Sequence, residues 1–173
     1  MNNAPGDKAA RHIVITGFMG TGKTTTGQLV AQLLGRPFYD MDALIVSRAG
    51  KSIPEIFAQD GEPAFRQMEH DLLVQMARTG GDVIATGGGA LVPDRNRQLM
   101  KLHTFLVCLT AFPHVIEARL QADGAGRPLA AGWRDLLQIR AQAYADIDYQ
   151  IDTSQREPQA VAEEIVALWQ ASQ

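Results

Sequence analysis

A three-layer α/β/α fold, with helices covering both faces of a central, mostly five-stranded parallel sheet, is predicted by three observations. Strand-like apolar runs alternate with helix-periodic segments almost to the end of the chain, the pattern of parallel strands joined by crossover helices. The first run, His12-Ile13-Val14-Ile15, leads through Gly17-Phe18-Met19-Gly20-Thr21-Gly22-Lys23-Thr24 into a helical pattern. That G-x-x-x-x-G-K-T spacing between a strand and a helix is a P-loop, so the expected sheet is of the P-loop NTPase type. Finally, 173 residues with 46% hydrophobic and 20% charged content suit one domain. A chain of that length buries roughly 70% of its unfolded surface.

Taken in order, residues 1–11 are polar, contain Pro and Gly, and read as a disordered lead-in to a single domain over 12–173. Strands are expected at Ile13–Thr16, Phe38–Tyr39, Val83–Ala85, Thr104–Leu109 and, more faintly, Tyr149–Ile151. Helices are expected at Thr24–Leu34, Met41–Ala49, Ile53–Gln59, Glu62–Thr79, Asp94–Leu102, Pro113–Gln121, Trp133–Ile147 and Pro158–Gln170. Ser52-Ile53-Pro54-Glu55 is a capping box, with Pro54 in the first turn where its missing N–H costs nothing. Gly80-Gly81 is the expected stop for the long helix carrying Phe65, Met68, Leu72 and Met76 on one stripe. Between Gln121 and Gly132 the chain is rich in small residues and lacks periodicity, which predicts a mobile lid.

Composition narrows the function. A net charge of −3 with no block of Lys or Arg gives no electrostatic footprint for nucleic acid or an anionic membrane. No apolar run approaches the roughly 18 residues that a membrane-spanning helix needs. Cys108 lies inside an apolar strand and reads as core filler. None of the four histidines shows metal-ligand spacing. A cytoplasmic enzyme is the expectation.

The P-loop itself predicts the donor site. Its glycines let backbone N–H groups close on a polyphosphate, and the helix start adds its dipole. Gly20, Thr21, Gly22, Lys23, Thr24 and Thr25 are the expected nucleotide-binding residues, with Lys23 as a point charge and the Thr24 hydroxyl as a magnesium ligand. The third strand ends in Thr86-Gly87-Gly88-Gly89 and so lacks the acidic residue that would support that metal. Asp40 at the end of the second strand is the nearest replacement, and Asp42, two residues on, points toward the same side while strand geometry persists. These two carboxylates could divide labour between metal and acceptor hydroxyl, or simply cap the next helix. The glycine run suggests close approach of a ligand or of another backbone. Arg66 and Glu69, at i and i+3, read as an ordinary surface ion pair when taken alone. Arg127-Pro128 in the lid offers a cation for a transferring phosphoryl group and a cover against water.

Taken together, Gly17–Thr25, Phe38–Asp42, Ile53–Phe57, Gly61–Glu69, Ala85–Gly89, Arg127–Leu129 and Arg140 followed by Tyr144 resemble the shikimate kinases, in uniform order. The resemblance implies a fold similar to nucleoside monophosphate kinases and ATP-dependent phosphorylation of the shikimate 3-hydroxyl, with Mg2+. It implies that Asp40 supports the metal through water and that Asp42 hydrogen-bonds the acceptor hydroxyl and acts as, or orients for, the general base. It further implies that Arg66 and Arg140 grip the shikimate carboxylate, that Gly88 adds a backbone contact, and that Glu69 fixes an arginine. Lys23, Asp42 and Arg127 are the implied catalytic residues, with Arg127 closing over the phosphates. Arg156 falls where the family contacts adenine, and Arg119 flanks the same base. Thr24 stands where the family usually has Ser. Alternatives are another small P-loop kinase, for gluconate or a nucleotide, and a catalytically silent sensing module. A GTPase is disfavoured because no Asn-Lys-x-Asp motif occurs.

Overall fold

The computed structural model describes residues 11–122 and 132–173. Five strands, β1 (Ile13–Gly17), β2 (Phe38–Asp40), β3 (Val83–Ala85), β4 (Phe105–Thr110) and β5 (Tyr149–Asp152), form one sheet in the order β2-β3-β1-β4-β5. Every pairing is parallel, with Ile13 opposite both Val83 and Phe105. The helices among the described residues are α1 (Lys23–Leu34), α2 (Met41–Ala49), α3 (Ile53–Gln59), α4 (Glu62–Met76), α5 (Asp94–His103), α6 (Pro113–Ala122), α7 (Trp133–Ala145) and α8 (Pro158–Ala171).

The period-two alternation of the central strands divides the core into two layers. Val14, Ile84, Leu106 and Cys108 face α2 to α5 and α7 through Met41, Ile45, Ile56, Leu72, Leu73, Met100 and Tyr144. Ile13, Ile15, Val83, Val107 and Leu109 face α1 and α8 through Val30, Val161 and Ile165. Cys108 is fully buried, and burial pushes its thiol up to about 12, which fits a packing role.

Most limits fall where local chemistry sets them. Ser52 and Glu55 form the reciprocal capping box at the start of α3. The long helix α4 is shorter than its periodicity suggests, ending at Met76 ahead of Gly80-Gly81. Tight i+3 bonds from Arg78 N–H to Gln75 and from Thr79 N–H to Met76 close it early. Thr79 is then held by His12, whose Nε2 lies 2.9 Å from the Thr79 hydroxyl. The lid limits also tighten: residues 121 and 122 belong to α6, and Gly132 caps α7. The remainder of the expected lid, with Arg127, lies outside the described residues, as does most of the lead-in.

His12 gives the fold a pH dependence. Its Nδ1 accepts the Asp82 N–H at 3.0 Å, so the ring is neutral in the native state. Burial lowers its pKa, and neighbouring Asp82 only partly opposes this. As pH falls, the unfolded chain therefore binds the proton first, at about the ordinary 6.5. This contribution is complete above that pH and is lost progressively below it. Urea unfolding is expected to show a lower midpoint at pH 5.5 than at pH 7.5, with a smaller difference in His12→Gln.

Candidate active site

The carboxyl ends of all five strands open on one side of the sheet, where open parallel sheets bind their ligands. β1 delivers the P-loop there. Gly17 closes the strand at φ 137°, and a Cβ on it would lie 2.3 Å from the Leu109 carbonyl of the neighbouring strand. Only glycine fits. Within the loop the Phe18 carbonyl accepts from both Thr21 Oγ1 and Lys23 Nζ at 2.8 Å. Gly22, at φ 91°, starts α1 without a side-chain cap. The N-terminal amides of α1 thus face the loop, as an anion requires.

A cavity of about 810 Å³ spreads from the P-loop across the ends of β2 and β3. Gly20, Lys23, Thr24 and Thr25 border one side, and Asp40, Asp42, Arg66 and Gly87–Gly89 border the other. Ile53, Phe57 and Phe65 supply an apolar wall that the sequence reading did not single out. Helix-periodic apolar residues look alike whether they face a core or a ligand, so periodicity gave no signal for it.

Asp40 has two engagements. Its Oδ1 caps α2 by accepting from the N–H groups of Asp42 and Ala43, while its Oδ2 accepts the Thr24 hydroxyl at 3.0 Å. The capping alternative is therefore realised, and the second oxygen reaches the P-loop helix. The strand ends at Asp40, so Asp42 does not keep the strand alternation expected of it; it lies in the first turn of α2. It nevertheless reaches the cavity, with Oδ1 2.6 Å from where a Cβ on Gly87 would be. Glu69 Oε1 lies 3.1 Å from the same point. Glycine at 87 is what lets two carboxylates converge beside the strand end.

Arg66 is not an ordinary surface partner. Its Nη1 donates to Glu69 Oε2 at 2.7 Å, and its Nη2 donates to Glu62 at 2.9 Å. Glu69 is only 1% exposed, and its Oε1 has no hydrogen-bond partner among the described residues. Burial raises the Glu69 pKa; Arg66 opposes this, nearby Asp42 adds to it and Arg140 subtracts. For Arg66, burial acts to lower the pKa, but its two carboxylates outweigh it and the net direction is up. Arg66 Nη1 lies 2.6 Å from a Cβ placed on Gly89, and Arg140 Nη1 lies 3.6 Å from one placed on Gly88. The two guanidinium groups thus bracket the glycine strip.

A second cavity of about 390 Å³ lies on the far side of the P-loop, lined by Gly20–Gly22, Thr25, Arg119, Arg156 and Pro158. Arg156 pairs with Glu164 at its rim. Arg119 donates to the Gly20 carbonyl at 3.1 Å and to the Thr153 carbonyl at 2.7 Å, and the Thr153 hydroxyl lies 3.1 Å from the Thr21 carbonyl. This strap ties the P-loop to β5. Thr153 was not legible as a site residue because its partners are 34 and 132 positions away. The P-loop is consequently the shared wall of two lobes.

The family model for shikimate kinase matches residues 19–170. A shikimate kinase of Geobacter sulfurreducens is 44% identical over 164 residues, covering 91% of this chain and 90% of its own. Among solved structures, the shikimate kinase from Acinetobacter baumannii in complex with shikimate superposes with a TM-score of 0.86 at 32% identity, over 96% of both chains. That from Bacteroides thetaiotaomicron gives 0.83 at 32% identity, over 95% of this chain and 98% of that one. Family model, relatives and neighbours agree: the chain belongs to the shikimate kinase family.

Proposed function

We propose that the protein transfers the terminal phosphoryl group of ATP to the 3-hydroxyl of shikimate. The observation that carries this reading is the placement of Arg66 and the glycine strip, with Arg140 beside Gly88, across one cavity from a P-loop. Arg66 and Arg140 form a paired cationic grip suited to a carboxylate, and the strip can add the Gly88 N–H. Asp42 lies between grip and P-loop, where an acceptor hydroxyl held by its distant carboxylate would arrive. It serves as the general base, taking the hydroxyl proton as the oxygen attacks phosphorus. Gly20–Thr25 cradle the phosphates, Lys23 balances the developing charge, and the far lobe with Arg119 and Arg156 receives the base. Arg127 closes over the transferring group, excluding water.

Magnesium fits the donor side. Thr24 Oγ1 and Asp40 Oδ2 are hard oxygens 3.0 Å apart, and Mg2+ typically takes one or two protein oxygens plus phosphate and water. Among the described residues no group of three or more His, Cys, Asp or Glu side chains is placed to hold a metal ion. Thr24 would hold the ion directly and Asp40 through water, and the ion would neutralise phosphate charge. All these groups come from one chain, so a monomer suffices, consisting of one kinase domain over 12–173. ATP consumption suits a cytoplasmic setting, and no described helix is long and apolar enough to cross a membrane.

Release of ADP with shikimate, quinate, gluconate and AMP as acceptors tests the reading. Stimulation by shikimate well above the others is expected. Stimulation by gluconate or AMP alone would overturn it.

A further inference from the structure

The glycine strip after β3 is held in place by Tyr144 of α7. The Tyr144 hydroxyl donates to the Gly88 carbonyl at 2.6 Å, bridging 56 positions of sequence. Tyr144 is buried, and burial raises its pKa to about 12 despite neighbouring Arg140, so it remains a donor at any working pH. Gly87 and Gly89 bind their own carbonyls locally, to the N–H groups of Ala90 and Val92. With Tyr144 on Gly88, all three carbonyls of the strip are engaged within the protein. What the strip then offers a ligand is N–H, the polarity that a carboxylate needs.

Arg140 lies four residues before Tyr144 on α7, so both side chains project from one face of that helix. Its guanidinium neighbours the phenol and also borders Gly88. The same loop and helix are joined a second time by buried Arg97, which donates to the Leu91 and Val92 carbonyls and to Asp146 at the end of α7. Arg97 anchors the loop away from the cavity. Tyr144 anchors it at the residue expected to touch the acceptor.

We infer that Tyr144 is a positioning residue of the acceptor half, its hydroxyl fixing the Gly88–Gly89 peptide, and through it the glycine strip, and the place of Arg140 together. It sets shikimate affinity and leaves the nucleotide half alone. This rests on the proposed acceptor reading, and wild-type turnover with shikimate is the reference that separates the two: no wild-type turnover sinks the acceptor reading itself.

Given wild-type turnover, Tyr144→Phe is expected to raise KM for shikimate by about tenfold, the scale of one lost hydrogen bond, with KM for ATP within about twofold. The effect of Tyr144→Phe should shrink in an Arg140→Ala background, because the two residues act on one contact. Unchanged shikimate KM, equal rises in both KM values, or strict additivity would overturn the inference. A second measurement keeps the native side chain. The chain has three tyrosines, so 3-fluorotyrosine labelling gives three 19F resonances, assigned through Tyr39→Phe and Tyr149→Phe. The Tyr144 resonance is expected to move on adding shikimate alone; a resonance indifferent to shikimate contradicts the inference.

Discussion

Replacing Asp42 by Asn is expected to lower kcat by ~10²–10⁴-fold, the usual worth of a general base, with ATP affinity nearly unchanged. The amide keeps the shape of the side chain beside Gly87 but cannot take the proton of the attacking hydroxyl. Asp40 contacts the P-loop helix through Thr24 and is untouched by the change, so the donor half should be spared. Asp42 raises the pKa of Glu69, so removing its charge favours the ionised Glu69 carboxylate that pairs with Arg66. Because kcat is read at saturating shikimate, weaker acceptor binding does not enter it. Turnover by steady-state assay together with ATP titration by calorimetry decides it, and near-normal turnover would remove Asp42 from its role.

Removing the proposed lid cation is expected to be comparably severe. Arg127→Ala should lower kcat by about 10²–10³-fold, as with other lost groups that stabilise developing charge. Residue 127 lies outside the described residues, but both flanking helices border the site. On α6, Ile116 and Leu120 pack within 3.5 Å of the Cβ position of Gly20. On α7, the Trp133 ring lies 6.4 Å from that of Phe18. Both described helices thus pack against the phosphate loop. Single-turnover rates isolate the chemical step, and unchanged rates in the variant would contradict the assignment.

Local signals were the ones legible in the sequence. The P-loop, the capping box at Ser52 and the alternation of strands and helices depend on neighbouring residues alone, and each was found where periodicity and turn chemistry placed it. Asp40 and Asp42 were visible as a pair, but the helix start at Met41 changed how the second one reaches the cavity. Long-range features were not legible. The burial of Glu69 follows from packing of the helix shoulder against the strip after β3, which no i, i+3 pattern encodes. The Arg119–Thr153 strap and the Tyr144–Gly88 bond join positions brought together only by the strand order, which places β4 and β5 on one side of β1 and β3 and β2 on the other. Resemblance to a family named several of these residues, and geometry supplied the physical reason for them.

The central claim is that the P-loop lobe and the arginine–glycine lobe serve one phosphoryl transfer. Phosphorus and proton NMR of a reaction containing ATP, Mg2+ and shikimate tests it most directly. The account predicts shikimate 3-phosphate in amounts equal to the ADP formed. ADP without phosphorylated shikimate, or phosphate on a different hydroxyl, would contradict it.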